Sequence, residues 1–151
     1  KPLDFGVEAP DGGYGVVNVA LPKSGEIPAP EMAACVLFYE FDGNVGRASL
    51  IPTTNAGRMI VAVPTHLGMW LYADNGGHPA HVRVKDANGK VTRLGPIALD
   101  WQGWRYVQFP FPEVAETPLT FDSLLSVDQE PGLPQIGSVF IHYPVLHYEF
   151  E

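Results

Sequence analysis

The sequence predicts an all-β protein, an antiparallel β-sandwich of about ten short strands with little or no helix. Two observations support this fold class. The 16 Gly and 15 Pro residues are spread between apolar runs, so they divide the chain at short intervals. In addition, no window of about three helical turns keeps apolar residues at helical spacing without an intervening Pro or Gly, whereas strand-like alternation recurs.

Alternating segments long enough for a strand follow one another along the chain. We predict strands near residues 2–7, 14–21, 33–42, 46–52, 58–64, 67–74, 80–86, 90–98, 104–110, 119–128 and 137–149. The Pro-rich segments 22–30 and 129–137 are predicted to be loops, and the first is expected to lie against the outside of the fold. Because 46% of the 151 residues are hydrophobic, the chain is expected to bury one core as a single domain spanning 1–151.

The segment 86–90 predicts a β-hairpin whose register follows from its turn. A two-residue turn at Asn88-Gly89 would mix apolar and charged residues on each face. A three-residue loop, with Gly89 in the left-handed conformation, instead pairs Val82 with Leu94, Val84 with Thr92, and Arg83 with Arg93. One face of the hairpin is then apolar, and the outward face carries His81, Arg83, Lys85 and Arg93.

This basic outward face has two interpretations. It is either an ordinary solvated surface or the floor of a ligand groove, because guanidinium groups donate several in-plane hydrogen bonds to sugar hydroxyls or carboxylates. Since Arg83 and Arg93 repel each other across the ladder, water or an acceptor is expected between them.

Two further strands place aromatic side chains outward. Alternation in 67–74 puts Trp70 and Tyr72 on one face, where they either face a groove or cover the edge of the second sheet, while Met69, Leu71 and Ala73 face the core. In 104–110, Val107 and Phe109 are expected in the core, and Tyr106 and Gln108 on the opposite side, where they would extend the surface of Arg83 and Arg93. Trp101 precedes Gly103 in a loop and is, of the tryptophans, the one predicted to be partly exposed.

Charge and cysteine content limit the classes of partner. With a net charge of −8 and only nine scattered Lys and Arg residues, neither nucleic acid nor an anionic membrane is an expected partner, so a neutral polar ligand fits better. No run approaches the ~18–20 apolar residues of a membrane-spanning helix, and no basic-then-apolar leader opens the chain. The single cysteine, Cys35, lies in an apolar run and is expected to be a buried small hydrophobe.

The sequence contains no recognisable catalytic motif, and no enzyme is predicted. It has no Gly-x-Ser-x-Gly elbow, no Walker loop and no Cys–His nucleophile pair. The candidate carboxylates each lie at a turn or strand end, where Asp usually serves the backbone: Asp74, Asp86, Asp100, Asp122 and Asp128. The five histidines lack the spacing of a jelly-roll metal site, and His142 and His147 fall on opposite faces if their strand is unbroken.

Three segments in the same order carry a family resemblance: 67–74, 82–89 and 99–107. They resemble segments of the galactose-binding-like jelly-roll domains, which include many carbohydrate-binding modules. Leu3-Asp4-Phe5 and 137–141 are similar to the opening and closing segments of that family. The chain departs from the family pattern at Gly6 and His142, where carboxylates are usual, and calcium prefers ~6–8 oxygen ligands. No cofactor is therefore expected, with a structural calcium left open.

The resemblance implies a non-catalytic, secreted module that binds a polysaccharide or oligosaccharide and is attached to a sugar-active catalytic domain in a longer chain. The predicted ligand-binding residues are Trp70, Tyr72, His81, Arg83, Arg93, Trp101, Tyr106 and Gln108. The site lies either on a sheet face or at the loop rim, where Asn75 and His78 would join Trp101. Two alternatives are a structural accessory domain that packs against a catalytic domain without binding sugar, and a small jelly-roll metalloenzyme. Burial of Trp70, Tyr72, Trp101 and Tyr106 together would favour the structural domain.

Overall fold

The computed structural model describes residues 7–8, 13–19, 34–41, 46–52, 59–113 and 115–149. Eleven strands form within these ranges, and no helix does: β1 Val7–Glu8, β2 Gly13–Val19, β3 Ala34–Glu40, β4 Arg47–Pro52, β5 Met59–Ile60, β6 His66–Asp74, β7 Pro79–Lys85, β8 Val91–Ala98, β9 Gln102–Pro110, β10 Leu119–Asp128 and β11 Ile136–His147. The strand predicted at 58–64 is shorter than expected because the chain bends at residues 61–62. The 22–30 segment and the opening motif at 3–5 lie outside the described residues.

The strands form two antiparallel sheets. One sheet has six strands in the order β1-β4-β10-β7-β8, with β5 also paired to β10, and the other has five in the order β2-β3-β11-β6-β9. The neighbours β6 and β7 in the chain lie in different sheets, and so do β8 and β9. The predicted all-β sandwich is confirmed. No helix of the described residues is long and apolar enough to cross a membrane.

The core lies between the sheets and is filled by alternate residues of each strand. Met69, Leu71 and Ala73 of β6 are fully buried, and so is Phe109 of β9, with Val107 only 8% exposed, as the alternation predicted. Cys35 belongs to the same cluster, and burial raises the pKa of its thiol to about 12. The cysteine is therefore a core hydrophobe, as predicted.

The hairpin of β7 and β8 has the predicted register. Val82 pairs with Leu94, Arg83 with Arg93 and Val84 with Thr92. The loop closes through hydrogen bonds from the Asp86 amide to the Lys90 carbonyl and from the Gly89 amide to the Asp86 carbonyl. Gly89 has φ 85°, the left-handed conformation that the three-residue loop requires.

Strand β11 contains a β-bulge that changes the direction of its last side chains. His142 pairs with Trp70 and Val145 with Gly68, so β11 advances three residues while β6 advances two. Tyr143, within the bulge, has φ 55°, and Pro144 follows it. An extra residue shifts the alternation by one. His142 and His147 therefore share a face, whereas the unbroken strand considered from the sequence would separate them.

Candidate functional site

The outer face of the five-stranded sheet carries two cross-strand rows of rings, which we call the aromatic face. The first row is Trp104 of β9, Tyr72 of β6 and Phe140 of β11, and the second is Tyr106, Trp70 and His142 of the same strands. Alternate residues of a strand are about 6.6 Å apart, so the rows follow one another at that spacing. The predicted residues Trp70, Tyr72, Tyr106 and Gln108 are brought together here.

Rings of the aromatic face contact one another at their edges rather than lying flat in a stack. Tyr72 makes edge contacts with Trp104, at 5.4 Å between centroids, and with Phe140, at 5.9 Å. Trp70 and Tyr106 lie 5.6 Å apart at 50°. Such arrangements hold aromatic rings at fixed angles and leave ring surface available for contact.

Exposure of the second row increases toward the edge strand β9, from the buried His142 through the partly exposed Trp70 to Tyr106, which is 40% exposed. In the first row Phe140, Tyr72 and Trp104 are all partly exposed. The four rings of β6 and β9 are therefore all accessible. Gln102 adds a polar group there, because its side-chain amide donates to the Tyr72 hydroxyl at 3.3 Å.

A polar cluster, made of His66, His147, Tyr106 and Gln108, lies at one end of the aromatic face. His66 and His147 are directly paired across β6 and β11, and their rings stack with centroids 4.3 Å apart and 12° between planes. Tyr106 Oη lies 3.4 Å from His147 Nε2, and Gln108 Nε2 lies 3.3 Å from His66 Nε2. Gly68 makes room for the cluster, because a Cβ at this position would clash with the Tyr106 hydroxyl.

At the other end of the face, Asp74 is engaged with the backbone. Its carboxylate accepts hydrogen bonds from the amides of Gly76, at 3.2 Å, and Ser138, at 2.9 Å. Asp86 likewise accepts from the Asn88 and Lys90 amides. These two aspartates serve the backbone as predicted.

The predicted arginines lie on the opposite side of the sandwich. Arg83 donates to Asp122 at 3.0 Å and Arg93 to Asp128 at 2.9 Å, both on the outer face of the six-stranded sheet. The expectation that Tyr106 and Gln108 extend this surface is wrong, because β9 belongs to the other sheet. Each arginine thus has its own carboxylate partner, and no acceptor shared by the two is seen among the described residues. Asp122 and Asp128 thus serve side chains, which corrects their predicted backbone role.

His81 was predicted to face solvent, and this is wrong. It does lie on the outer side of β7, but it is fully buried. Arg93 Nη2 donates to His81 Nδ1 at 3.2 Å, so the proton of the neutral ring is on Nε2. Burial lowers the pKa of His81 to about 4; Asp128 at 3.5 Å opposes this shift, and the neighbouring arginines reinforce it.

Acidification is expected to destabilise the fold through His81. Its folded pKa of about 4 lies below the ordinary 6.5, so the unfolded chain takes up the proton first as pH falls through this window. The stability present above pH 6.5 is then lost progressively toward pH 4, by up to about 3 kcal/mol from this residue. Urea unfolding of the wild type and of His81→Leu at several pH values measures the effect. The wild type should lose more stability on acidification than the variant, and parallel pH profiles would contradict the assignment.

Trp101 was predicted to be partly exposed, and this is wrong: it is the most buried of the three tryptophans, with 8% exposure. Its indole N–H donates to the Gly103 carbonyl at 2.9 Å, and the Arg105 guanidinium lies 4.4 Å above the ring. Trp101, Arg105, Tyr106 and Gln108 are among the residues lining a pocket of about 430 Å³ between β8 and β9. Trp101 therefore lines this pocket and is not one of the exposed rings of the aromatic face.

At the loop rim, the second predicted location for the site, the two predicted residues are not both accessible. His78 is fully buried, its Nδ1 accepts from the Glu130 amide, and its Nε2 donates to the Pro134 carbonyl at 2.6 Å. Asn75 is exposed, and its backbone N–H donates to the Trp101 carbonyl. Within the described ranges, no group of three or more His, Cys, Asp or Glu side chains could hold a metal ion.

Several residues of the aromatic face were missing from the predicted site. Trp104 shares the alternation of Tyr106 and Gln108 and could have been included on that basis. Phe140 and His142 alternate in the same way in β11. His66 and His147 carry no comparable signal, because their meeting depends on the bulge at Tyr143 and Pro144.

Comparisons with known proteins bear on the fold. No protein-family model matches the sequence, and no curated protein matches it. Among solved structures, it is similar to the family 11 carbohydrate-binding module of a cellulosomal cellulase of Clostridium thermocellum, with TM-score 0.54 and 12% identity over 98% of this chain and 89% of that one. It is also similar to a variant of a family 29 carbohydrate-binding module complexed with mannohexaose, with TM-score 0.49 and 12% identity over 95% and 92% of the two chains. The family 11 likeness shows the fold: this chain shares the β-sandwich fold of that module.

Proposed function

We propose that this chain is a non-catalytic carbohydrate-binding module whose aromatic face binds a polysaccharide chain. The observation that carries the proposal is the set of partly exposed rings along β6 and β9, namely Trp70, Tyr72, Trp104 and Tyr106. A flat ring stacks on the C–H face of a pyranose and gains contact area at low entropic cost. Gln102 and Gln108 add hydrogen-bonding groups beside the rings, where sugar hydroxyls would lie.

A neutral polysaccharide fits the aromatic face better than an acidic one. The two ring rows carry no arginine or lysine, and the ion pairs of the described residues all lie on the outer face of the other sheet. Arg83 and Arg93, which were predicted to bind the ligand, are bound to Asp122 and Asp128 there. Hydroxyl and ring contacts therefore supply the recognition.

In this proposal the module is attached to a sugar-active catalytic domain and acts outside the cell. Tethering holds the enzyme on its polymer and raises the local substrate concentration without contact to the reacting bond. The similar family 11 module, which belongs to a cellulosomal cellulase, supports this role.

Affinity electrophoresis through gels containing soluble polysaccharides tests the proposal. The panel includes hydroxyethylcellulose, mixed-linkage β-glucan, galactomannan, xylan and, as an acidic polymer, polygalacturonate. We expect retardation by at least one neutral polymer, clearly weaker retardation of Trp70→Ala, and no change in Val91→Ala, whose exposed side chain lies on β8 of the other sheet. If no polymer retards the wild type, or if Trp70→Ala is retarded equally, the chain is a structural domain or binds elsewhere.

A further inference from the structure

We propose that His66 and His147 are positioning residues of this glycan site: as neutral rings they hold Gln108 and Tyr106 at the end of the aromatic face, and their protonation weakens binding. The inference rests on the proposed function and adds a regulation of the same site by pH. Its basis is the polar cluster over Gly68, where two stacked imidazoles contact two side chains that border the accessible rings.

The hydrogen bonds around His66 agree with one neutral tautomer. Thr65 donates its hydroxyl proton to the His147 carbonyl at 3.1 Å, so its oxygen is left to accept from His66 Nδ1–H at 3.0 Å. Nε2 of His66 then carries a lone pair and accepts from the side-chain amide of Gln108 at 3.3 Å. This chain of donors fixes which way the Gln108 amide points.

Protonation of His66 reverses the bond that orients Gln108. A proton on Nε2 would face the Gln108 N–H, so that two donors oppose each other and the amide must turn or move away. Protonation of His147 at Nε2 similarly changes the hydrogen bond that Tyr106 Oη can make with it at 3.4 Å. Gln108 would therefore leave the orientation it holds at neutral pH, while the Tyr106 hydroxyl would change from donor to acceptor in its contact with His147.

The stack opposes a second positive charge. Two imidazolium rings 4.3 Å apart would repel each other, so protonation of both rings requires the stack to open. Burial and the neighbouring His147 lower the pKa of His66. The other titratable group in contact with the pair is Tyr106, and within the described residues no carboxylate forms an ion pair with either ring.

The experiment measures affinity against pH for the neutral polymer that gives the strongest retardation. We expect wild-type affinity to fall about three- to tenfold between pH 7.5 and 5, because an imidazole ordinarily gains its proton between about pH 8 and 5, and the lowered pKa of His66 moves its protonation toward the acidic end of that range. His66→Gln/His147→Gln replaces both rings by side chains that do not titrate, so its affinity, whatever its value at pH 7.5, should be nearly constant from pH 7.5 to 5. His66→Ala should bind more weakly than the wild type at pH 7.5, and this difference should narrow toward pH 5. Near-ultraviolet circular dichroism at each pH checks that the proteins remain folded.

A second measurement needs no ligand. Proton NMR of the free wild type should show the Gln108 side-chain amide and the Tyr106 ring signals shifting together with the titration of His66 and His147. Affinity that is constant from pH 7.5 to 5, or Gln108 and Tyr106 signals that do not follow the imidazoles, would overturn the inference while leaving the proposed function intact. Absence of binding to every polymer at every pH would instead refute the proposed function.

Discussion

Replacing Trp70 and Trp104 together by alanine is expected to lower polysaccharide affinity about a hundredfold, with each single substitution lowering it about tenfold. The two rings lie on different strands and in different rows of the aromatic face, so each can stack on its own sugar. A tenfold loss corresponds to about 1.4 kcal/mol, which is the size expected when a well-placed aromatic contact is removed. Contributions of separate contacts add approximately.

Isothermal titration calorimetry with the polymer that retards the wild type most strongly measures these losses of affinity. Both tryptophans are only partly buried, so the variants should still fold, which thermal unfolding can verify. Val91→Ala is the control for a substitution on the other sheet. Single variants that bind as tightly as the wild type would place the ligand away from this face.

The features that the sequence predicted correctly are local ones. The hairpin register followed from Gly89 and from the alternation of Val82 and Val84, because a turn type fixes the pairing of the strands beside it. The outward direction of Trp70 and Tyr72 followed in the same way from the buried residues between them. Each of these inferences needs only neighbours within one hairpin or one strand.

The features that the sequence could not predict depend on which sheet each strand joins. Tyr106 follows Arg93 closely in the sequence, but β8 and β9 enter different sheets, so their outward faces are separated by the whole sandwich. His81 is buried by Arg93 from β8 and Asp128 from β10, an arrangement that alternation within β7 does not reveal. Strand order is decided by packing of the complete core.

The bulge in β11 shows how one residue can alter a site. A proline inside a strand is a sign of a bulge or of an edge strand, and Pro144 is such a sign within β11. Without the extra residue, His147 would point away from His66 and the polar cluster would not form. The candidate site thus depends on a backbone irregularity as well as on its side chains.

Strand β9 carries site residues on one side and core residues on the other. Substitutions at neighbouring positions should therefore differ greatly in their effect on stability. Phe109 is fully buried, and Phe109→Ala is expected to lower the free energy of unfolding by about 3–5 kcal/mol through lost burial and a cavity. Gln108 is exposed, and Gln108→Ala is expected to change stability by less than about 1 kcal/mol.

Urea unfolding at pH 7 compares the two variants. The phenylalanine packs between the sheets, where its ring also approaches Gly95 of β8, so the cavity left by alanine touches both sheets and cannot close by movement of one strand. A Phe109→Ala protein that remains folded should keep its affinity for the polymer, because Trp104 and Tyr106 are still carried outward by the same strand. Equal losses of stability in the two variants would mean that the inward and outward faces of β9 are wrongly assigned, and with them the aromatic face.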